Sequence, residues 1–105
     1  MMRLLAALMI LAPSLIVAAV ASAASYVVEI KDLRFGPVPK ALKIGDRIVW
    51  KNSDIFRHTA TARNGDFDVT IEPDTSKATT LSKAGKVSVF CRFHPGMVLQ
   101  LTVTK

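Results

Sequence analysis

Sulfur and imidazole are scarce in this 105-residue sequence, which has one cysteine and two histidines. A single cysteine excludes a disulfide framework within the chain. Two histidines are too few to build more than one imidazole-rich metal site. Aromatic residues make up only 7% of the chain, and the lysines and arginines are scattered rather than interleaved with them. Nucleic-acid binding by stacking on a basic groove therefore has no basis here. Charge is missing altogether from Leu4 to Ala24, where only Ser14 and Ser22 are polar.

That uncharged stretch has the order of a secretory signal. Met1, Met2 and Arg3 give a short positive start, Leu4 to Val20 an apolar run, and Ala21-Ser22-Ala23 a small-residue ending. Cleavage is expected after Ala23, leaving residues 1–23 as signal peptide and 24–105 as the mature domain, exported to the periplasm or a similar compartment. The run is long enough to span a bilayer as a helix, but Pro13 and the Ala-x-Ala ending argue for removal, so no stable membrane insertion is expected. Losing residues 1–23 removes Arg3 alone among charged groups, so the net charge falls by one from +6. About 80 residues can support one small core and no second domain.

Export makes the lone thiol informative. Cys91 has no partner in the chain, and an oxidising compartment requires that it be buried, paired with another molecule or bound to metal.

Beyond the leader the dominant period is two. Tyr26, Val28 and Ile30 alternate with Val27 and Glu29; Ile48 and Trp50 with Arg47, Val49 and Lys51; Phe67, Val69 and Ile71 with Asp68, Thr70 and Glu72. Val87, Val89 and Cys91 share one parity, as do Leu99, Leu101 and Val103. Turn formers separate these runs at Gly36-Pro37, Gly45-Asp46, Asn64-Gly65-Asp66, Pro73-Asp74, Ala84-Gly85 and Pro95-Gly96. The expectation is an all-β fold of seven or eight strands, a sandwich or small barrel, with no helix.

The chemistry-bearing residues of the mature domain fall into one pattern. Cys91, His94 and Met97 lie in Cys91-Arg92-Phe93-His94-Pro95-Gly96-Met97, and His58 begins a strand earlier in the chain. A thiolate and a thioether are soft ligands and imidazole is intermediate. Two His and one Cys with a weak axial Met suit an ion cycling between Cu(I) and Cu(II), whereas zinc prefers a set without Met. Each residue alone is more often core or solvated surface, but the joint pattern favours one copper per chain. A Cys–His nucleophilic pair is disfavoured because no orienting carboxylate or oxyanion hole is recognisable, so no enzymatic activity is expected.

Over essentially the whole mature chain these residues resemble the small cupredoxins, or blue copper proteins, of the plastocyanin and amicyanin kind. The matching pieces are Phe35-Gly36-Pro37 leading into Leu42-Lys43-Ile44-Gly45-Asp46-Arg47-Ile48-Val49-Trp50-Lys51-Asn52, then His58-Thr59-Ala60-Thr61-Ala62, then Phe90-Cys91-Arg92-Phe93-His94-Pro95-Gly96-Met97. The resemblance implies a Greek-key β-sandwich and metal roles for His58, Cys91, His94 and Met97. It departs at Thr59, where plastocyanin and amicyanin carry an Asn whose side chain helps tie the two ligand loops.

The resemblance further implies a monomeric electron carrier between redox-protein partners. Arg57 and Arg92 adjoin ligands, so the expected partner surface is acidic, with His94 as the electron port. The rival is a periplasmic copper carrier or buffer using the same four ligands without an electron-transfer role.

Overall fold

The computed structural model describes residues 6–14 and 22–105. Most of the leader read over residues 1–23 thus lies outside the described residues. Among the described residues no helix is long and apolar enough to cross a membrane.

Among the described residues nine strands form two sheets: β1 (Ser25–Lys31), β2 (Arg34–Phe35), β3 (Leu42–Lys43), β4 (Arg47–Asn52), β5 (His58–Ala62), β6 (Asp68–Ile71), β7 (Ser76–Thr80), β8 (Gly85–Phe90) and β9 (Val98–Thr104). One sheet has the order β2-β1-β4-β7 and the other β3-β9-β8-β5-β6. The all-β sandwich expectation holds. The count exceeds seven or eight because β2 and β3 span two residues each, too short to show a period. β1 runs parallel to β4 and β3 parallel to β9, while the remaining pairs are antiparallel.

The alternation seen in the sequence is the alternation of burial. Val28 and Ile30 on β1, Ile48 and Trp50 on β4, Val87 and Val89 on β8, and Leu101 and Val103 on β9 all turn into the space between the sheets. Trp50 is the largest of them, with Phe35 edge-on at 5.7 Å and Phe67 tilted at 5.9 Å between ring centroids. Its indole N–H donates to Thr79 Oγ1 at 2.9 Å, so the ring is buried without orphaning its donor. Thr79 is the one buried residue of β7, a strand with no apolar alternation to announce it. Among the described residues every buried side-chain nitrogen and oxygen has a partner.

β5 differs from the rest, since all five of its residues are buried. It lies between β8 and β6, with His58 opposite Ile71 and Thr61 opposite Phe90. His58 opens β5 and Cys91 directly follows β8, so the antiparallel pairing brings the two residues to the same end of the sheet. β9 then starts at Val98, paired with Phe90. The chain from Cys91 to Met97 is therefore a short cap across the ends of two neighbouring strands.

The approach of β2 to β1 depends on one glycine. Gly36 N–H donates to Glu29 O at 2.7 Å, and a Cβ there would lie 2.9 Å from that same oxygen. Gly96, in the cap, has no such neighbour within 4 Å. Gly36→Ala should lower stability by about 1–3 kcal/mol, as overpacking does. Gly96→Ala in the metal-free protein should leave it nearly unchanged. Urea denaturation of the two variants measures the contrast, and equal losses would contradict it.

Candidate metal centre

Cys91 Sγ lies 3.7 Å from His58 Nδ1 and 3.8 Å from His94 Nδ1. All three ligand-capable atoms fall within 4.8 Å of one another. Cys91 and His58 are completely buried, and His94 is half-buried. The histidine rings sit 4.9 Å apart between centroids and tilt by 54°, so both present Nδ1 toward the sulfur without stacking flat. Three of the four residues singled out in the sequence thus converge on one point. Met97, the fourth, is buried at the far end of the cap, where its N–H donates to His94 O at 2.8 Å and its carbonyl accepts from Cys91 N–H at 3.2 Å. Those two backbone bonds fold the cap into a tight loop.

His58 is held by a residue the sequence reading passed over. Its Nε2 is 2.7 Å from Asp54 Oδ2. With a carboxylate accepting there, the neutral ring carries its proton on Nε2 and leaves the Nδ1 lone pair facing Cys91, the tautomer a metal ligand needs. Asp54 also accepts the backbone N–H groups of Asp32 at 2.7 Å and Leu33 at 3.0 Å. Both of those residues have positive φ, 52° and 59°, so the carboxylate also pins the strained turn between β1 and β2. Burial pushes the Asp54 carboxyl up, but the bonds from Leu33, His58 and Asp32 outweigh it and hold the group below the ordinary 3.8. Asn52 fixes the same loop from below. Its Oδ1 accepts Asp54 N–H at 2.9 Å, and its Nδ2 donates to Phe56 O at 2.8 Å and Ile71 O at 2.9 Å.

Thr59 does join the two ligand segments despite standing in place of Asn. Its N–H donates to Cys91 Sγ at 3.3 Å, and its Oγ1 accepts Arg92 N–H at 2.8 Å. The Thr59 hydroxyl then donates to Thr61 Oγ1 at 3.0 Å, because the Thr61 hydroxyl is committed to Asp68 Oδ1 at 2.8 Å. Asp68 closes the ring by accepting the Arg92 guanidinium at 2.6 Å. Arg92, bonded to it, and then Thr61 hold the Asp68 carboxyl below the ordinary 3.8, and the same bond raises the Arg92 guanidinium. Arg92 is consequently a structural ion pair and offers less free charge than its position in the sequence suggests.

The rim around His94 is apolar and open. The Phe56 ring meets His94 edge-on at 5.8 Å, and Ile55, Phe56 and Phe93 are all exposed. Arg57 stacks its guanidinium 4.4 Å from the centre of Phe93.

No family model matches the chain, and no curated protein matches it. Solved structures of amicyanin do match. A Cu(I) form of one amicyanin mutant is 21% identical with a TM-score of 0.64, covering 75% of this chain and 81% of its own. A reduced form of a second mutant is 23% identical with a TM-score of 0.64, covering 81% and 86%. A reduced Cu(I) form of a third, at pH 4, is 24% identical with a TM-score of 0.63, covering 81% and 86%. The fold is therefore the cupredoxin β-sandwich that the sequence motifs imply.

Asp54→Ala would leave three N–H groups without an acceptor. It should destabilise the metal-free protein by about 1–3 kcal/mol near neutrality. Because the folded-state carboxyl titrates below its unfolded value, its stabilisation is present above the ordinary 3.8 and is lost as pH falls through the lower folded value. The difference between wild type and variant should thus shrink in acid, as denaturation at pH 7 and near pH 2 would show. A constant gap would contradict this role for the charge.

Proposed function

We propose that this chain is an exported, mononuclear copper protein that carries single electrons between redox proteins, with His58, Cys91, His94 and Met97 as ligands. The observation that carries the reading is the buried convergence of one thiol and two imidazole Nδ1 atoms within 4.8 Å. The donor set fits copper in both oxidation states: one soft thiolate, two imidazoles, and a thioether at the end of the same cap. Asp54 lies on the far nitrogen of His58, which leaves no carboxylate among the donors, as a calcium site would need, and the thioether of Met97 is a donor that zinc does not favour.

Copper bound there would supply a one-electron couple. The residues supply a site that is already assembled. Cys91 offers a thiolate whose charge is met by the Thr59 N–H, His58 is locked in the required tautomer by Asp54, and the cap bonds hold His94 and Met97 against Cys91. Little of the protein then has to move when the oxidation state changes. Both histidines and the only thiol are committed to the ion, which favours a carrier of electrons over an enzyme.

His94 is the one histidine of the set with an edge toward solvent, and it sits beside Phe56 and Phe93. A partner would meet the site on this apolar rim. Arg57 supplies positive charge beside it and favours an acidic partner, whereas Arg92 is already balanced by Asp68. Complete burial of Cys91 and His58 favours retention of the ion over ready exchange, and so an electron carrier over a copper carrier.

Adding Cu(II) to the purified protein should give one copper per chain and an intense thiolate-to-copper absorption toward the red end of the visible spectrum. Cys91→Ala should abolish the band. Stoichiometric copper without the band in wild type would overturn the blue-copper reading.

Arg57→Glu should slow association with a redox partner and flatten its salt dependence. Arg92→Glu should do so less, its charge being paired already. Stopped-flow kinetics across ionic strengths would test the order of the two effects, and unchanged rates in both variants would move the docking face elsewhere.

A further inference from the structure

Among the described residues, the first whose backbone is built into the sandwich is Ala24. Its carbonyl accepts Arg47 N–H at 2.8 Å, extending the pairing of β1 with β4 by one position, and its N–H donates to Asp46 Oδ1 at 3.0 Å. Ser22 and Ala23, just before it, are exposed. The small-residue ending Ala21-Ser22-Ala23 read from the sequence places hydrolysis on the Ala23–Ala24 bond. Two independent observations, a processing motif and the start of ordered pairing, thus meet at one peptide bond.

Asp46 is equipped for more than an amide. It is buried in the turn between β3 and β4, and Lys43 Nζ reaches the same Oδ1 at 2.7 Å while Lys43 N–H donates to Oδ2 at 3.0 Å. These bonds, with the Lys43 side chain first and Ala24 next, hold its carboxyl down at about 2. It is therefore an anion near neutral pH.

We propose that removal of residues 1–23 converts this hydrogen bond into an ion pair, the freed α-ammonium of Ala24 anchoring the start of β1 to the Asp46 carboxylate. Hydrolysis by a leader peptidase adds one water across the Ala23–Ala24 bond, leaving a carboxylate on Ala23 and an ammonium on Ala24. The nitrogen already lies at hydrogen-bond distance, so no rearrangement is needed. A second cation on Oδ1 is tolerated because Lys43 is one-third exposed and can turn toward water, whereas Ala24 is fixed by its bond from Arg47. Of the other titratable groups nearby, Tyr26 lines a hollow together with Lys43 and Asp46, and Arg47 lies opposite Ser25 in the strand register. Processing then does more than release the domain, because the new terminus completes a charged clasp between β1 and the β3–β4 turn.

The sign of the pH dependence follows. An α-amino group titrates near about 7.7–8.0 in an unfolded chain, and a carboxylate partner raises it in the folded one. The stabilisation is complete below the unfolded value and is lost as pH rises through the folded one.

The test is to express the full chain through its own leader, determine the mass of the exported product, and follow its denaturation midpoint from pH 6 to 10. Two variants accompany it: Asp46→Asn, and a Gly-Ser insertion between Ala23 and Ala24 that keeps the domain intact but moves the ammonium away. The proposal expects a product starting at Ala24. Its midpoint should fall as pH passes about 8 and above, and the insertion variant should lack that step. Asp46→Asn should lack it too if it folds. A product starting elsewhere, or an insertion variant with the same step as wild type, would overturn it.

Discussion

The candidate metal centre of this protein depends on the antiparallel pairing of β5 with β8. That pairing sets His58, at the start of one strand, beside Cys91, at the end of the other, with Thr61 opposite Phe90 fixing the register. A slip of one residue would turn His58 to the other face and take the imidazole away from the sulfur. The register is held from both sides of the sheet. Ala60 and Ala62 are buried in the core, while the sequence of bonds from Arg92 N–H through Thr59 and Thr61 to Asp68 fastens the outer face to the cap.

The remaining parts of the site are second-order consequences of that junction. Once Cys91 is placed, the cap is short enough for Met97 and His94 to be fixed by two backbone bonds. Asp54 then links the buried histidine to the turn at Asp32 and Leu33, so an apparently remote strained turn and the ligand tautomer share one carboxylate. Rigidity of this kind suits a site that changes charge without changing shape.

Much of this could be read from the chain. Strand alternation was legible wherever a strand had one apolar face, as in β1, β4, β8 and β9, and the Cys-x2-His-x2-Met spacing was legible because soft donors are rare. β7 was not, because its buried residue is a threonine serving the Trp50 indole rather than an apolar one. Neither was Asp54. A carboxylate four residues before a histidine carries no periodic signal in a loop, and only the folded turn shows that it faces Nε2. The equal standing given to Arg57 and Arg92 rested on adjacency to ligands along the sequence, while Asp68, far away in the chain, neutralises only one of them. Thr59 was legible as a departure from the amicyanin pattern, but its replacement of the lost tie depends on Thr61 and Asp68 together.

The central claim is that the folded chain presents one thiol and two imidazoles as a site assembled in advance, which keeps the same ligands in both oxidation states. X-ray absorption at the copper edge, recorded on the same sample oxidised and then reduced at neutral pH, tests it most directly. The account predicts one short copper–sulfur and two copper–nitrogen contacts in each state, with only small changes in length between them. A shell of nitrogen and oxygen without the short sulfur, or loss of a histidine on reduction at that pH, would contradict it.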